Sequence, residues 1–360
     1  NDSVSPIRIA LVGPLPPPMG GDTRHFATLA ADLSASDAFR VKVINTSRGL
    51  QHSNPLRNAL VALRVLLRVA LALPKVDVLS YHASDRGMLL FGPLLHLLAR
   101  LAGKPILLRL FGGSFGDYFG SRGALGRLII RKGVLSADVV LLQTRRLIGQ
   151  LEQHGTARLV WFSTYVRSVS PPPAQDKVEP EGERICRRFV YLGHLWRTKG
   201  LETLLESAPQ LPQHCHIDIF GPPDEYSGEL INARGAGRVR YGGFLTHEQV
   251  DRKLWEYDCL VLPTFHPGEG YPGVIAEAFA HALPVITTRW MAIPEMVDES
   301  CGMLVEPGDT PAFVAAIARL HADPAQWRRL KLGAQQRAGD FDHAQWATRF
   351  EELCAALVRL

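Results

Sequence analysis

The 360-residue chain has no uncharged apolar stretch reaching the ~20 residues that span a bilayer, so no transmembrane helix is expected. It has no Gly-x-Gly-x-x-Gly after its first strand, which removes the dinucleotide-binding fingerprint. Five cysteines (Cys186, Cys215, Cys259, Cys301, Cys354) are scattered and without Cys-x-x-Cys spacing. That argues against a zinc site or a disulfide framework, and for buried thiols in a reducing compartment. No signal peptide is read ahead of the first strand, residues 7–12. The expected location is the cytoplasm, either free or peripheral on the inner face of the cytoplasmic membrane. The only Asp-x-Asp, Asp340-Phe341-Asp342, reads as a loop or cap, so no metal site is expected.

What is present suits a soluble enzyme of two domains: 46% hydrophobic residues, 21% charged, and a length beyond one ordinary core. Charge is unevenly spread. Residues 1–167 hold 21 Lys and Arg against 9 Asp and Glu, and residues 168–360 hold 19 against 26. A basic half joined to an acidic half implies different partners for each. Between them, residues 168–183 are rich in proline and charge and read as a linker.

Residues 258–294 carry the densest signal. Cys259-Leu260-Val261-Leu262-Pro263 is a short strand, residues 274–283 read as a helix with Pro272 at its entry, and Pro284-Val285-Ile286-Thr287-Thr288 is the next strand. Strand, glycine-rich loop, helix, strand is half of an open parallel sheet, whose carboxyl edge is where such folds bind ligands. Two carboxylates stand out here, Glu269 in the loop and Glu277 about a turn into the helix. Gly268, Gly270 and Gly273 let the backbone approach a ligand, and free amides at the helix start favour a phosphate or sugar oxygen. A carboxylate accepts two hydrogen bonds from a vicinal diol, which suits Glu277 to a ribose and Glu269 to a hexose. A solvated helix residue and a loop charge are the plainer alternatives.

Further along come Glu277-Ala278, Leu283-Pro284-Val285-Ile286, Ile293-Pro294-Glu295-Met296-Val297 and Gly302-Met303-Leu304-Val305-Glu306-Pro307-Gly308-Asp309. In this order and spacing the run resembles the donor-binding half of the retaining glycosyltransferases of GT-B fold, the group 1 family that uses nucleotide sugars. The resemblance implies an α/β fold of two Rossmann-like parallel-sheet domains facing a cleft. Residues 1–167 would be the acceptor-binding domain, 168–184 the linker and 185–343 the donor-binding domain, with a C-terminal helix, 344–360, crossing back to the first. It implies a metal-independent hexosyltransferase without a cofactor. The donor would be a UDP- or GDP-linked sugar and the acceptor a lipid-linked glycan of cell-surface polysaccharide synthesis.

The same resemblance assigns residues. Lys199, in Gly193-His194-Leu195-Trp196-Arg197-Thr198-Lys199-Gly200, would neutralise the donor diphosphate. His194 stands where relatives carry an arginine, and Arg197 is the nearby substitute. The backbone at Leu245 would meet the nucleobase, Glu277 the ribose, and Glu269 with the 270–274 amides (Gly270, Tyr271, Gly273, Val274) the sugar. Gly20 and Gly21 match the family's first loop, close to the donor phosphates, although a plain strand-to-helix turn explains them too. Many relatives have a histidine where this chain has Phe111, and an asparagine where it has Ser163-Thr164. With Phe111 in place, His82 is the substitute for the catalytic role and Arg109 and Asp117 for acceptor binding. Glu269, Lys199, Arg197 and His82 thus form the expected catalytic set.

After Asn58, residues 59–73 are apolar, broken only by Arg64 and Arg68. On a helix Arg57, Arg64, Arg68 and Lys75 fall within about 40° of one another, a basic stripe on a hydrophobic rod. A membrane interface and a domain helix with one wet edge both fit this pattern. Residues 86–104 and 122–132 repeat it, so an anionic membrane surface is expected to meet residues 57–75 and 86–132. A nucleotide-sugar epimerase and a non-catalytic membrane- or nucleic-acid-binding protein are the rival readings. The basic half offers Leu, Val and Ala rather than aromatics interleaved with Lys and Arg, so nucleic acid is not expected.

Overall fold

The computed structural model describes residues 5–17, 20–47, 55–167, 169 and 184–359, without the side chains of residues 55–57. Arg57 and nearly all of the 168–184 linker therefore lie outside the described residues. The chain divides into two compact units, Asn1–Ser163 with Ala344–Leu360, and Thr164–His343.

Unit 1 runs β1 (Ile7–Gly13), α1 (Gly21–Ala35), β2 (Phe39–Asn45), α2 (Pro55–Ala72), β3 (Val78–Ser84), α3 (Asp85–Leu101), β4 (Ile106–Phe111), α4 (Phe115–Ser121), α5 (Ala124–Gly133), β5 (Val139–Leu142), α6 (Arg145–Leu151) and β6 (Arg158–Trp161). The strands form one parallel sheet in the order β2-β1-β3-β4-β5-β6. β1, β3 and β4 read as near-continuous apolar runs because helices cover both faces of a parallel sheet. α1 is capped by Gly20, in an extended conformation, whose N–H donates to Thr23 Oγ1 at 2.8 Å.

Unit 2 runs β7 (Arg188–Leu192), α7 (Leu201–Ser207), β8 (His216–Phe220), α8 (Gly228–Arg234), β9 (Val239–Gly243), α9 (His247–Leu254), β10 (Cys259–Leu262), α10 (Gly273–Ala280), β11 (Val285–Thr288), β12 (Gly302–Val305), α11 (Thr310–Ala322) and α12 (Pro324–Ala338). Its parallel sheet has the order β12-β11-β10-β7-β8-β9. Asp258 anchors the base of this sheet. It is 1% exposed, accepts from Arg184 Nη2 at 2.8 Å and takes the N–H groups of Arg187 and Arg188. Burial alone would raise its pKa, but the bonds and charge of Arg188 and Arg184 outweigh that and hold it below the usual carboxylate range.

The last helix, α13 (His343–Val358), packs into unit 1. Trp346 meets Trp161 edge-on at 5.0 Å, and Phe350 approaches Phe162 at 6.1 Å. All five cysteines are buried and unbonded.

Candidate functional site

In unit 2 the strand order reverses at β7, which lies between β10 and β8, and this switch point is where open parallel sheets take ligands. The loops leaving β7 and β10 meet there. After β7 the chain makes a short 3-10 turn, Arg197–Lys199, closed by Gly200 at φ 87°. A Cβ at Gly200 would stand 2.1 Å from the carbonyl oxygen of Pro263, so only glycine lets the two loops touch. They are then laced together: Phe265 N–H donates to the Thr198 carbonyl at 2.7 Å, and Thr198 Oγ1 meets His266 Nδ1 at 3.0 Å. The outcome is an ion pair across 70 residues of sequence, Lys199 Nζ to Glu269 Oε2 at 2.7 Å. Thr264 Oγ1 donates to the same oxygen at 2.8 Å. The two side chains are 15% and 8% exposed, so each needs the other to offset its desolvation.

Around this pair lies a wall of rings. His194 stacks on Trp196 at 4.4 Å, Trp196 lies 5.3 Å from His266, and the Trp196 indole N–H donates to Asp224 at 2.7 Å. Burial, and then the nearby Lys199 ammonium, push both His194 and His266 below the usual imidazole value. His194 therefore shares the neighbourhood of Lys199. Arg197, the expected substitute, does not: it is exposed and its backbone N–H donates to Glu225 Oε2 at 2.6 Å. Its charge is felt at Glu202 and Tyr226, beside Arg234. The turn that presents Lys199 inward carries Arg197 outward.

The loop 264–272 is fixed from several sides. Tyr271 is buried and donates to Glu295 Oε2 at 2.5 Å. Glu295 is itself held by Arg337, whose Nη2 donates to its carbonyl at 2.6 Å. Thr288 Oγ1 donates to the Thr264 carbonyl at 2.5 Å, and the Trp290 N–H to the His266 carbonyl at 2.8 Å. Gly270 is buried in this loop, Gly273 opens α10 and Val274 is half-buried in its first turn. Glu277 is buried on α10, with His247 Nδ1, at the start of α9, 3.9 Å from its Oε1. Leu245, half-buried, precedes that start, after a turn through Gly243 at φ 95°. Thr264, His266, Trp290 and Glu295 are the supports that sequence reasoning misses. Only Glu295 leaves a trace, inside the Ile293-Pro294-Glu295-Met296-Val297 motif.

Unit 1 corrects two expectations. His82 is fully buried, with Phe26, Phe111 and Phe350 around its ring at 5.3, 6.3 and 5.8 Å, and its Nε2 meets Ser80 Oγ at 2.8 Å. Burial, then the Arg109 charge, hold it well below the ordinary imidazole value. A neutral ring sealed under three phenyl groups packs in the core of unit 1. Arg109 is 3% exposed and lies over the rings of Phe111 and Phe162 at 4.8 and 4.5 Å, so it too is a packing residue. Asp117 is exposed and takes Arg146 Nη2 at 3.1 Å and Gln150 Nε2 at 2.9 Å. Gly20 and Gly21 lie at the entry to α1, with open space where a Gly21 Cβ would stand. Among the described residues no group of three or more His, Cys, Asp or Glu could hold a metal ion, and Asp340 pairs with Arg337 at 2.6 Å.

Residues 186–323 match the family described as Glycosyl transferases group 1. That match covers most of unit 2, and the chain as a whole has the GT-B fold. It is 32% identical over 162 residues to the amylovoran biosynthesis glycosyltransferase AmsK of Erwinia amylovora, covering 42% of this chain and 40% of that one. To the lipopolysaccharide core biosynthesis glycosyltransferase LpsE of Rhizobium meliloti it is 28% identical over 230 residues, 61% of this chain and 65% of LpsE. The chain thus spans less than two thirds of the length of either relative. Among solved structures, sucrose-phosphate synthase of Thermosynechococcus elongatus superposes with a TM-score of 0.73 at 20% identity, over 98% of this chain and 99% of that one. Anabaena HepE, solved in complex with UDP, gives 0.73 at 15% identity, over 97% and 100%. At such identities the likeness establishes the GT-B fold of the chain.

Proposed function

We propose that this protein transfers a hexose, with retention of anomeric configuration, from a nucleoside-diphosphate sugar to a lipid-linked glycan in the building of a cell-surface polysaccharide. The Lys199–Glu269 pair at the switch point of unit 2 carries the reading, because it places one cation and one hydroxyl-binding carboxylate within a single donor's reach. AmsK and LpsE are named for polysaccharide and lipopolysaccharide biosynthesis, and HepE has also been solved with UDP-glucose, which supports both the product class and the donor class.

In this reading Lys199 and the amides of Gly273 and Val274 take the diphosphate, and Lys199 stabilises the charge that grows on it as the glycosidic bond breaks. Charge neutralisation is thereby assigned to the protein, with no metal and no cofactor called on. When the diphosphate draws Lys199, Glu269 is released to bind sugar hydroxyls, still oriented by Thr264 and by the clamp of Tyr271 on Glu295. Glu277 takes the ribose diol, and the backbone at Leu245 reads the base. His194 donates to a phosphate oxygen in place of the arginine that relatives carry, and its depressed pKa keeps it neutral at pH 7.

A panel of UDP- and GDP-linked hexoses tests this. One donor should raise the thermal midpoint of the wild type and be hydrolysed slowly, and Lys199→Ala should abolish both effects. If no donor does either, the proposal fails.

A further inference from the structure

The helices on one face of unit 1 are apolar on two sides. Inward, α2 buries Val65 and Val69, α3 buries Met88, Phe91 and Leu95, and α5 buries Ile130, all in one core cluster. That is the face a helix of a globular domain needs. Outward, α2 exposes Leu60, Leu63, Leu67 and Leu71, at spacings of one helical turn. α3 does the same with Leu90, Leu94, Leu97 and Leu101, the last 77% exposed, and α5 adds Leu125, Leu128 and Ile129. The three helices are neighbours: α2 lies beside α3, and α3 beside α5, where His96 Nδ1 meets the Gly133 carbonyl at 3.1 Å. Singly exposed leucines are ordinary, but a contiguous field across three helices marks an interaction surface.

The charges in this field have one sign. α2 exposes Arg64 and Arg68, α3 Arg86 and Arg100, and α5 Arg127 and Arg131. Neither α2 nor α5 contains an acidic residue, and the single one in α3, Asp85, accepts a short hydrogen bond from Ser114. No helix among the described residues is long and apolar enough to cross a membrane. We infer that the outer face of α2, α3 and α5 docks on an anionic lipid bilayer, with the leucines entering the acyl boundary and the arginines meeting headgroup phosphates. A second copy of the chain would bring like charges together, which disfavours self-association through this face. To the basic, apolar segments read in residues 57–75 and 86–132 the inference adds the outward leucine rows of three neighbouring helices, which contribute the insertion. It rests on unit 1 alone and is independent of the donor reading.

Vesicle sedimentation and fluorescence test it. Wild type should co-sediment with equimolar phosphatidylglycerol–phosphatidylcholine vesicles and bind phosphatidylcholine alone about tenfold more weakly or worse. Leu67→Gln with Leu97→Gln, 54% and 55% exposed, should lower binding to the anionic vesicles about tenfold while leaving slow donor hydrolysis unchanged. Leu94→Trp should show a blue-shifted emission on adding the anionic vesicles and quenching by lipids brominated on their acyl chains. Equal binding of wild type and the double variant, or no blue shift, overturns the inference. So does a lipid-free dimer in sedimentation velocity that the double variant dissociates, since the face would then belong to a second copy. Loss of vesicle binding with hydrolysis intact separates this surface from the donor site.

Discussion

Unit 1 and unit 2 each wind six parallel strands, yet they fill their switch points with opposite materials. In unit 2 the strand ends where the order reverses hold a charged pair, Lys199 and Glu269, supported by Thr264 and overlooked by His194 and His266. In unit 1 the reversal lies between β1 and β3, and the neighbouring space holds the neutral ring of His82 among phenylalanines. The outer surfaces diverge in turn, unit 1 basic and leucine-studded, unit 2 more acidic. Burying charge is tolerated only where each ion finds a partner, and a ligand phosphate is a further partner for a lysine. The buried charged pair that a phosphate could join therefore lies in unit 2, and the exposed basic leucine face in unit 1.

The sharpest way to break this comparison is to empty the charged switch point. Lys199→Ala should lower donor turnover by about 10²–10³-fold. It should also destabilise unit 2 by up to about 3–5 kcal/mol, because Glu269 is left buried without its cation. Adding Glu269→Gln should restore most of the thermal midpoint and none of the turnover, which separates the two effects. Gly200→Ala comes next: the Cβ meets the Pro263 carbonyl oxygen at 2.1 Å in a left-handed backbone, so urea denaturation should show a loss of about 1–3 kcal/mol. Glu277→Ala should raise KM for the nucleotide sugar by about tenfold with little change in kcat, the mark of a ground-state contact.

The smallest effect belongs to unit 1. His82→Phe should keep turnover within about twofold of wild type, since the ring touches only other core rings and Ser80. A collapse of kcat would restore His82 to the catalytic set and erase the contrast. The same variant has a pH signature. His25 and His82 are both held well below the ordinary imidazole value, chiefly by burial, so below a pH of about 6.5 the unfolded chain binds protons that the folded chain refuses. Stability is fully present above that pH and is lost as the pH falls through it. His82→Phe should flatten the fall by up to about one proton in urea midpoints measured against pH. Asp258, with its depressed pKa, keeps its contribution until the pH falls below about 3.9.

Much of the fold was legible because βα alternation is a local signal. The apolar runs of β1, β3, β4 and β10 give the strands, and Pro272 marks the helix entry that the structure places at Gly273. The switch-point loops were legible as motifs, and so Lys199, Glu269 and Glu277 could be named. Their supports could not, because the bonds of Thr264 Oγ1 to the Glu269 carboxylate, of His266 to Thr198 Oγ1 and of the Trp290 indole to the His266 carbonyl are made by folding and are not encoded in periodicity. His82 was misread for a related reason: a histidine ending an apolar strand looks alike in sequence whether the next layer is solvent or Phe350 from the far end of the chain.

The sequence by itself determined the order of the strands and helices, the two-part distribution of charge and the identity of the acidic and basic groups in the donor loops. These follow from spacing between near neighbours. Tertiary structure decided which groups meet: Lys199 with Glu269 across 70 residues, the Arg197 backbone N–H with Glu225, and His82 closed in by α13. It also decided which leucines have a core to enter. An apolar period shows that a helix face avoids water without naming what covers it, and only the packing of α2, α3 and α5 leaves their second faces uncovered among the described residues.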